Sequence, residues 1–385
     1  MSETFDVVIV GAGIVGAACA AECARASLKV LVLDRGPVGG GTTAAGMGHL
    51  VVMDDSDAQF ALTSYSRRLW RELIPVLPPD VEYDECGTLW LAADEEEMLE
   101  VRRKEQNYTR RGVGVEVLDS DGVADAEPNL RADMAGGLRV LEDAVLYPPC
   151  AARYLLDKAK QLGAIVRTGV SVHALLPEGG VTLQDGSTIS AGISVNATGP
   201  WSPELTTGLP VRKRKGHLVI TDRYPDYVHH QIVELGYLKS AHSMGKDSVA
   251  FNIQPRKNGQ MLLGSSRQFD AEDTRVEQPL LNRMLNRACD YLPSLGALSA
   301  LRTWTGHRAA TPDKLPVIGP SATQPRIWLA TGHEGLGITT SLATGRLLTD
   351  LLLQRKSEIA PEPYLPARFA ATTAKNHECA TDNSH

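Results

Sequence analysis

Residues 5–34 constrain this chain more than any other stretch. Positions 5–10 (FDVVIV) are a short apolar run rich in valine and isoleucine, the pattern of a strand buried on both faces. GAGIVG follows, so that Gly11, Gly13 and Gly16 fill the three positions of G-x-G-x-x-G. An alanine-rich helical run covers 17–26, and a second apolar run, 29–33, closes on Asp34. Strand, glycine turn, helix, strand and acid in that order form a β–α–β unit built to hold a dinucleotide. Gly11 permits the tight turn, Gly13 lets a pyrophosphate approach the backbone, and Gly16 lets the helix pack on the sheet. The start of the helix, at Ile14 and Val15, offers N–H groups and a positive dipole end to phosphate. Asp34 can accept from an unmodified ribose hydroxyl, which selects FAD or NAD over NADP.

At 385 residues the chain can bury more than one core. Its net charge of −7 gives no support for general nucleic-acid binding. The six cysteines, Cys19, Cys23, Cys86, Cys150, Cys289 and Cys379, include no C-x-x-C pair. They read as packed thiols in a reducing compartment, with neither a metal site nor a disulfide framework. The N-terminus carries Glu3 and Asp6 in place of a basic region, so it does not read as a signal peptide. No uninterrupted apolar stretch is long enough to span a bilayer.

Further along, RGPVGGGTTAAGMGHL (35–50) is a glycine-dense loop whose small residues can lie flat against a planar ligand. A helix is expected over 58–77, stopped by Pro78-Pro79, then a hairpin or edge strand over 81–92 and a solvated, charged helix over 94–111. A helix at 150–162 and several strands between 164 and 201 follow. The last of these runs into the small-residue turn Ala197-Thr198-Gly199. The basic run Arg212, Lys213, Arg214 and Lys215 is expected to be a solvated strand end. Strands at 229–238, 248–254 and 260–264 precede a helix at 280–291. A strand at 326–330, the glycine turn TGHEGLG and a helix at 338–353 repeat the opening geometry, and the tail after Pro361 is polar and expected to be disordered.

Taken together these stretches resemble the glycine oxidase and D-amino-acid oxidase family of FAD-dependent amine oxidoreductases, in a layout close to bacterial D-hydroxyproline dehydrogenases. GAGIVG with Asp34 and Arg35 resembles the family's dinucleotide fingerprint. Thr42, Thr43, Ala44, Ala45, Gly46 and Met47 match its flavin-contacting loop. Val170 stands where the family sets a backbone near adenine, and ATGPW, with Ala197, Thr198, Gly199 and Trp201, matches a second flavin contact. WTGHRAATPDKLPVIGP is similar to a signature usually written with G-L-R-P and T-P-D-x-x-P-x-I-G. Gly332, Gly335, Leu336, Gly337, Ile338 and Thr339 match the last cofactor turn. The resemblance implies an α/β (mixed α+β) fold: a Rossmann-like FAD-binding domain (1–80, 146–210, 303–368) interleaved with a substrate domain on a mixed β-sheet (81–145, 211–302), and a polar tail, 369–385.

It also implies a reaction, in which the substrate Cα gives a hydride to flavin N5 as the amine becomes an imine. Arg308, the arginine of the signature, would fork onto the substrate carboxylate, as a planar and permanently charged guanidinium suits; a structural ion pair with Asp313 is the alternative. Three positions depart from glycine oxidase. Asn252 replaces an active-site tyrosine, Arg267 replaces a methionine, and Glu334-Gly335 stand where a second arginine would be. These make the pocket more polar. Glu334 would bind a substrate ammonium or hydroxyl, or else hold a neighbouring side chain. Arg267 would meet a carboxylate or lie at the surface. His49 would line the pocket or serve as a hydrogen-bonded structural residue. The segment before T-P-D has no cysteine, so FAD is expected to be non-covalent.

The substrate expected is a small D-amino or D-imino acid, with cis-4-hydroxy-D-proline first. The alternatives are a general D-amino-acid dehydrogenase, a sarcosine or glycine oxidase, and a non-catalytic flavoprotein subunit of a larger complex. An NAD-dependent dehydrogenase fits the first glycines alone. Oxygen, a quinone or a partner flavoprotein would take the electrons, and homo-oligomerisation is left open. A cytoplasmic protein is expected, with peripheral attachment at the inner membrane if the acceptor lies there.

Overall fold

A computed structural model describes residues 4–236, 247–269 and 271–369. Leu238, at the end of one expected strand, and nearly all of the expected polar tail lie outside them. Two large sheets dominate. The first has six strands in the order Val317–Pro320, Ile327–Thr331, Ala191–Asn196, Phe5–Val10, Val30–Asp34, Ile165–Thr168. All neighbours run parallel except Val317–Pro320 with Ile327–Thr331. Both faces are covered, which is why its strands read as unbroken apolar runs. Val7 and Ile9 pack with helices Ile14–Arg25, Pro148–Gln161 and Gly337–Leu352. Val8 and Val10 pack with Leu175 and Val181 of a small three-stranded sheet on the other face. Helices Ile14–Arg25 and Gly337–Leu352 touch closely, since a Cβ on Gly345 would lie 2.6 Å from the Ala18 carbonyl oxygen. Cys19 and Cys23 are buried in this core, as packed thiols should be.

The second sheet has eight strands in the order Ala300–Ala310, Arg212–Thr221, Met261–Phe269, Ser248–Pro255, Gln231–Glu234, Thr88–Ala92, Gly136–Val140, Val115–Asp119. It is antiparallel apart from the pair Gln231–Glu234 and Thr88–Ala92. Helix Gln278–Tyr291 covers part of one face through Leu281, Met284 and Ala288.

Several local expectations change. The helix expected over 58–77 ends at Leu73 and tightens into a 3-10 turn, Ile74–Val76, because Pro75 cannot continue the α-helical ladder. The expected hairpin or edge strand at 81–92 is Thr88–Ala92, wholly buried between two neighbours inside the sheet. Helix Glu95–Arg110 is not solvated all round: Lys104 is only 1% exposed, held by Asp54 at 2.5 Å. The basic run is a solvated strand end only at Arg212, which is exposed. Lys213 pairs with Glu272 and Arg214 with Glu334, while Lys215, fully buried, meets Asp273 and Glu277. Residues 362–369 of the stretch after Pro361 are packed on the body of the protein: Tyr364 is buried and donates to the Ala58 carbonyl at 2.6 Å, and Arg368 pairs with Asp313 at 2.7 Å. Finally, Ala300–Ala310 pairs along its length with Arg212–Thr221, so the division drawn at 302 falls within one strand of the eight-stranded sheet.

Candidate active site

A cleft of about 630 Å³ opens where the two sheets meet. Val10, Leu33, Ala197 and Ala330, at or next to the carboxyl ends of parallel strands, form one side; Leu218, Asn252, Ser265 and Arg308 of the eight-stranded sheet form another. Open α/β sheets bind ligands in such crevices.

The glycine turn fits a dinucleotide sterically. Gly11 has φ +114°, and a Cβ there would lie 2.4 Å from the Ala197 carbonyl oxygen. A Cβ on Gly16 would come within 1.9 Å of the Gly11 carbonyl oxygen. Gly13 instead faces the cleft, together with Ile14 and Val15. One amide at the helix start is already used, since Ile14 N donates to Thr43 Oγ1 at 3.0 Å. Asp34 accepts from the amides of Ala12 at 2.6 Å and Gly36 at 2.7 Å. Its carboxylate is thereby fixed at the cleft wall, and each oxygen retains acceptor capacity for a ribose hydroxyl. Arg35 stacks over Trp201, 5.0 Å from the ring centroid, and both line the cleft with Val170.

The loop over 35–50 ties the two sheets together. Thr42 Oγ1 donates to the His307 carbonyl at 2.8 Å, and a Cβ on Gly306 would sit 2.4 Å from Ala45 Cβ. Thr42, Thr43, Ala45, Gly46, Met47 and His49 line the cleft, as do Thr198, Gly199, Gly335, Gly337 and Ile338. Five expected cofactor residues do not. Gly16 is packed beneath the turn. Ala44 faces a smaller cavity of about 210 Å³. Gly332 makes a left-handed turn at φ +77°, Leu336 caps the last helix, and Thr339 donates to the His49 carbonyl at 2.8 Å. Gly332, Leu336 and Thr339 therefore shape the site from behind.

Arg308 is held in the cleft wall. Its Nη1 donates to the Ser266 carbonyl at 3.1 Å, Gly335 lies against its stem, and a Cβ on Gly216 would lie 2.4 Å from Nη1. Asp313 pairs with Arg368, and no ion pair between Arg308 and Asp313 is found among the described residues. Behind Ser266 sits buried His217, with Nδ1 2.8 Å from Ser266 Oγ and Nε2 accepting from the Glu277 amide at 3.0 Å. Neither His217 nor Gly216 was singled out from sequence; both lie in a strand whose pattern marks burial without marking a site.

Asn252 is 6% exposed and lines the cleft, and its Oδ1 finds no hydrogen-bond partner among the described residues. Glu334 also lines the cleft, with its amide donating to the Ala309 carbonyl at 2.9 Å and its carboxylate paired with Arg214. Arg267 is neither at the surface nor on the cleft: it is 8% exposed, within strand Met261–Phe269. None of the described cysteines lines the cleft.

Burial pushes His49 down to about 4, with the charge of Arg308 adding to the effect and Gln254 opposing it. His333, buried and hydrogen-bonded to Thr344 Oγ1 at 2.9 Å, is pushed down to about 3 by burial. Unfolded histidines titrate near 6.5. Between that pH and about 4 these two histidines bind more protons in the unfolded chain, so their contribution to stability falls as pH drops, while Asp143, pushed up to about 6 by burial, acts in the opposite direction. From pH 6.5 to pH 4 the melting temperature of the wild type is expected to fall relative to that of His333→Gln, which lacks one of these histidines. Equal slopes for the two proteins would refute the assignment.

The comparisons with known proteins agree with this geometry. The family model for FAD dependent oxidoreductases, DAO, matches residues 6–351. The chain is 28% identical to hydrogen cyanide synthase subunit HcnC of Pseudomonas aeruginosa, covering 96% of this chain and 97% of that protein. It is 29% identical to glycine oxidase of the same organism, covering 95% and 99%. Among solved structures, glycine oxidase from Geobacillus kaustophilus superposes with a TM-score of 0.86 at 25% identity, over 95% of this chain and 99% of that one. L-proline dehydrogenase from P. horikoshii shares the fold, with a TM-score of 0.87 at 24% identity, covering 97% and 99%. With a dinucleotide cradle, a flavin-loop cleft and a family match along nearly its whole length, the chain belongs to the DAO family of FAD-dependent oxidoreductases, and FAD is its cofactor.

Proposed function

We propose that this chain oxidises the carbon–nitrogen bond beside the carboxylate of a small amino or imino acid, and that cis-4-hydroxy-D-proline is its substrate. The observation that carries this reading is Arg308, held by the Ser266 carbonyl in the wall of the FAD cleft. A guanidinium so fixed can take a carboxylate in a fork and turn the neighbouring Cα–H into the cleft. Bound non-covalently in the cleft, FAD supplies the acceptor for the hydride.

Asn252 supports the hydroxylated substrate. A buried carbonyl oxygen without a donor is costly, and a ring hydroxyl or substrate N–H would supply one. Glu334 supports it less than expected, because its carboxylate is engaged by Arg214. His49, held down to about 4, would not retain a proton from the substrate amine at neutral pH. It therefore serves as a neutral wall of the pocket, and the amine either reaches the cleft unprotonated or gives its proton to another group on binding.

Anaerobic mixing of the holoenzyme with a panel of D- and L-amino and imino acids tests the reading. Bleaching of the flavin is expected fastest with cis-4-hydroxy-D-proline. Faster bleaching by D-alanine or sarcosine would remove hydroxyproline as the substrate. Re-oxidation by air or by a quinone dye then separates an oxidase from a dehydrogenase. A second reading, a non-catalytic subunit of a larger complex, draws support from the name of the HcnC relative, which is a subunit of a synthase. It requires that no amino acid bleach the flavin.

A further inference from the structure

Arg308 is not the only guanidinium at this corner of the site. Arg214 lies directly across the strand pair from it, in register, in strand Arg212–Thr221. Its other strand neighbour is Phe269, whose ring centroid lies 5.6 Å from the Arg214 guanidinium. Alternation along the strand sends Lys213 and Lys215 to the opposite face, where they meet Glu272, and Asp273 with Glu277. Arg214 therefore stands beside Arg308 on the cleft side, yet it is not among the residues lining the cleft. Glu334 is, and its carboxylate pairs with Arg214; the two side chains are 12% and 11% exposed. The pair is held by the backbone as well. Glu334 adopts φ +54° and its amide donates to the carbonyl of Ala309, the residue next to Arg308. A left-handed conformation is unfavourable for glutamate and persists where the surroundings enforce it.

We propose that Glu334 is a specificity-determining residue: it covers Arg214 with a carboxylate belonging to the protein, so that the cleft accepts substrates with one acid group and rejects those with two. The inference rests on the reading that Arg308 holds the substrate carboxylate. With Glu334 in place, a substrate fixed at Arg308 has a negative charge beside it. A second acid group on that substrate would meet Glu334 and be repelled. Without the Glu334 carboxylate that repulsion is lost, and the positive charge of Arg214, which Glu334 separates from the cleft, acts on an incoming acid group. The selectivity thus has an attractive part, at Arg308, and a repulsive part, at Glu334.

The test compares the wild-type holoenzyme with Glu334→Gln, Glu334→Gly and the double variant Glu334→Gln/Arg214→Gln. Glycine at 334 tolerates the left-handed backbone, so that variant separates loss of charge from any strain that glutamine introduces. Two measurements are made. The first is the ratio of kcat/KM for a diacid to that for the matching monoacid, using iminodiacetate against sarcosine and D-aspartate against D-alanine. The second, independent of turnover, is calorimetric binding of two inert acids, malonate and acetate. Both single variants are expected to raise the diacid-to-monoacid ratio about tenfold or more, and to tighten malonate relative to acetate by a similar factor. Adding Arg214→Gln should cancel both gains. Unchanged malonate-to-acetate selectivity in both single variants overturns the proposal. So does a gain that survives in the double variant. If no acid reduces any of the proteins, the reading of the site as an amino-acid oxidase fails, and calorimetry still decides the role of Glu334.

Discussion

Arg308→Ala is expected to lower kcat/KM for the amino-acid substrate by between about 100-fold and about 1,000-fold, while the protein still purifies yellow. Losing one partner of a buried, hydrogen-bonded charge pair typically costs about 2 to 5 kcal/mol, and Arg308 is the side chain placed to meet the carboxylate. The flavin should remain, because the cradle is built from Gly11, Gly13, Asp34 and the loop over 35–50, with no contribution from the Arg308 side chain. Arg308→Lys keeps the charge and loses the fork, so it should recover only about tenfold of the loss. Gly216→Ala offers a route to the same defect without touching the arginine. Its Cβ would lie 2.4 Å from Nη1, and the guanidinium would have to leave the Ser266 carbonyl. Single-turnover flavin reduction over a range of substrate concentrations separates the outcomes. The main effect should appear as a weaker substrate dissociation constant. If Arg308→Ala reduces its flavin as readily as the wild type does, the substrate carboxylate is bound elsewhere and the proposed reaction geometry is wrong.

Gly16→Ala should unfold the nucleotide cradle, with a destabilisation of about 1 to 3 kcal/mol, the range for overpacking a filled site. The added Cβ would be placed 1.9 Å from the carbonyl oxygen of Gly11. That neighbour is backbone within the fingerprint itself, so neither can move without disturbing the turn. Gly13→Ala makes the instructive contrast. Its Cβ would meet only Thr43 Oγ1, at 3.2 Å, and otherwise point into the cleft. The fold should survive there while flavin affinity falls, because the methyl group occupies the approach of the pyrophosphate. Thermal unfolding of the flavin-stripped proteins, set beside their flavin content after reconstitution, checks both. Gly16→Ala should lose stability and flavin together, and Gly13→Ala should lose flavin alone. A Gly13→Ala protein that binds flavin normally would mean the pyrophosphate does not pass this residue.

How much of this was legible beforehand depended on the range over which each feature is determined. The opening β–α–β unit is local: strand, turn, helix and acid are all set within about thirty residues by periodicity and by what glycine permits. Its reading carried over almost unchanged. The same holds for the small-residue turn at Ala197, where a short apolar strand ends in residues without bulk. Errors arose where a long-range partner decided the outcome. The basic run 212–215 has the composition of a solvated strand end, and nothing nearby announces Glu272, Asp273, Glu277 or Glu334 as partners. Strand Thr88–Ala92 looked like an edge because the strands that flank it come from 136–140 and 231–234.

Sequence alone therefore determined the dinucleotide cradle and the residue types that a carboxylate site would need, because both follow from local sterics and side-chain chemistry. Only the tertiary structure decided which arginine faces the cleft and which is covered. Arg214 and Arg308 are nearly a hundred positions apart, and cross-strand pairing sets them side by side. Glu334 reaches Arg214 only because the last glycine turn folds back onto the strand that bears Arg308. Such arrangements depend on register and on the meeting of two sheets, and no window of consecutive residues contains that information.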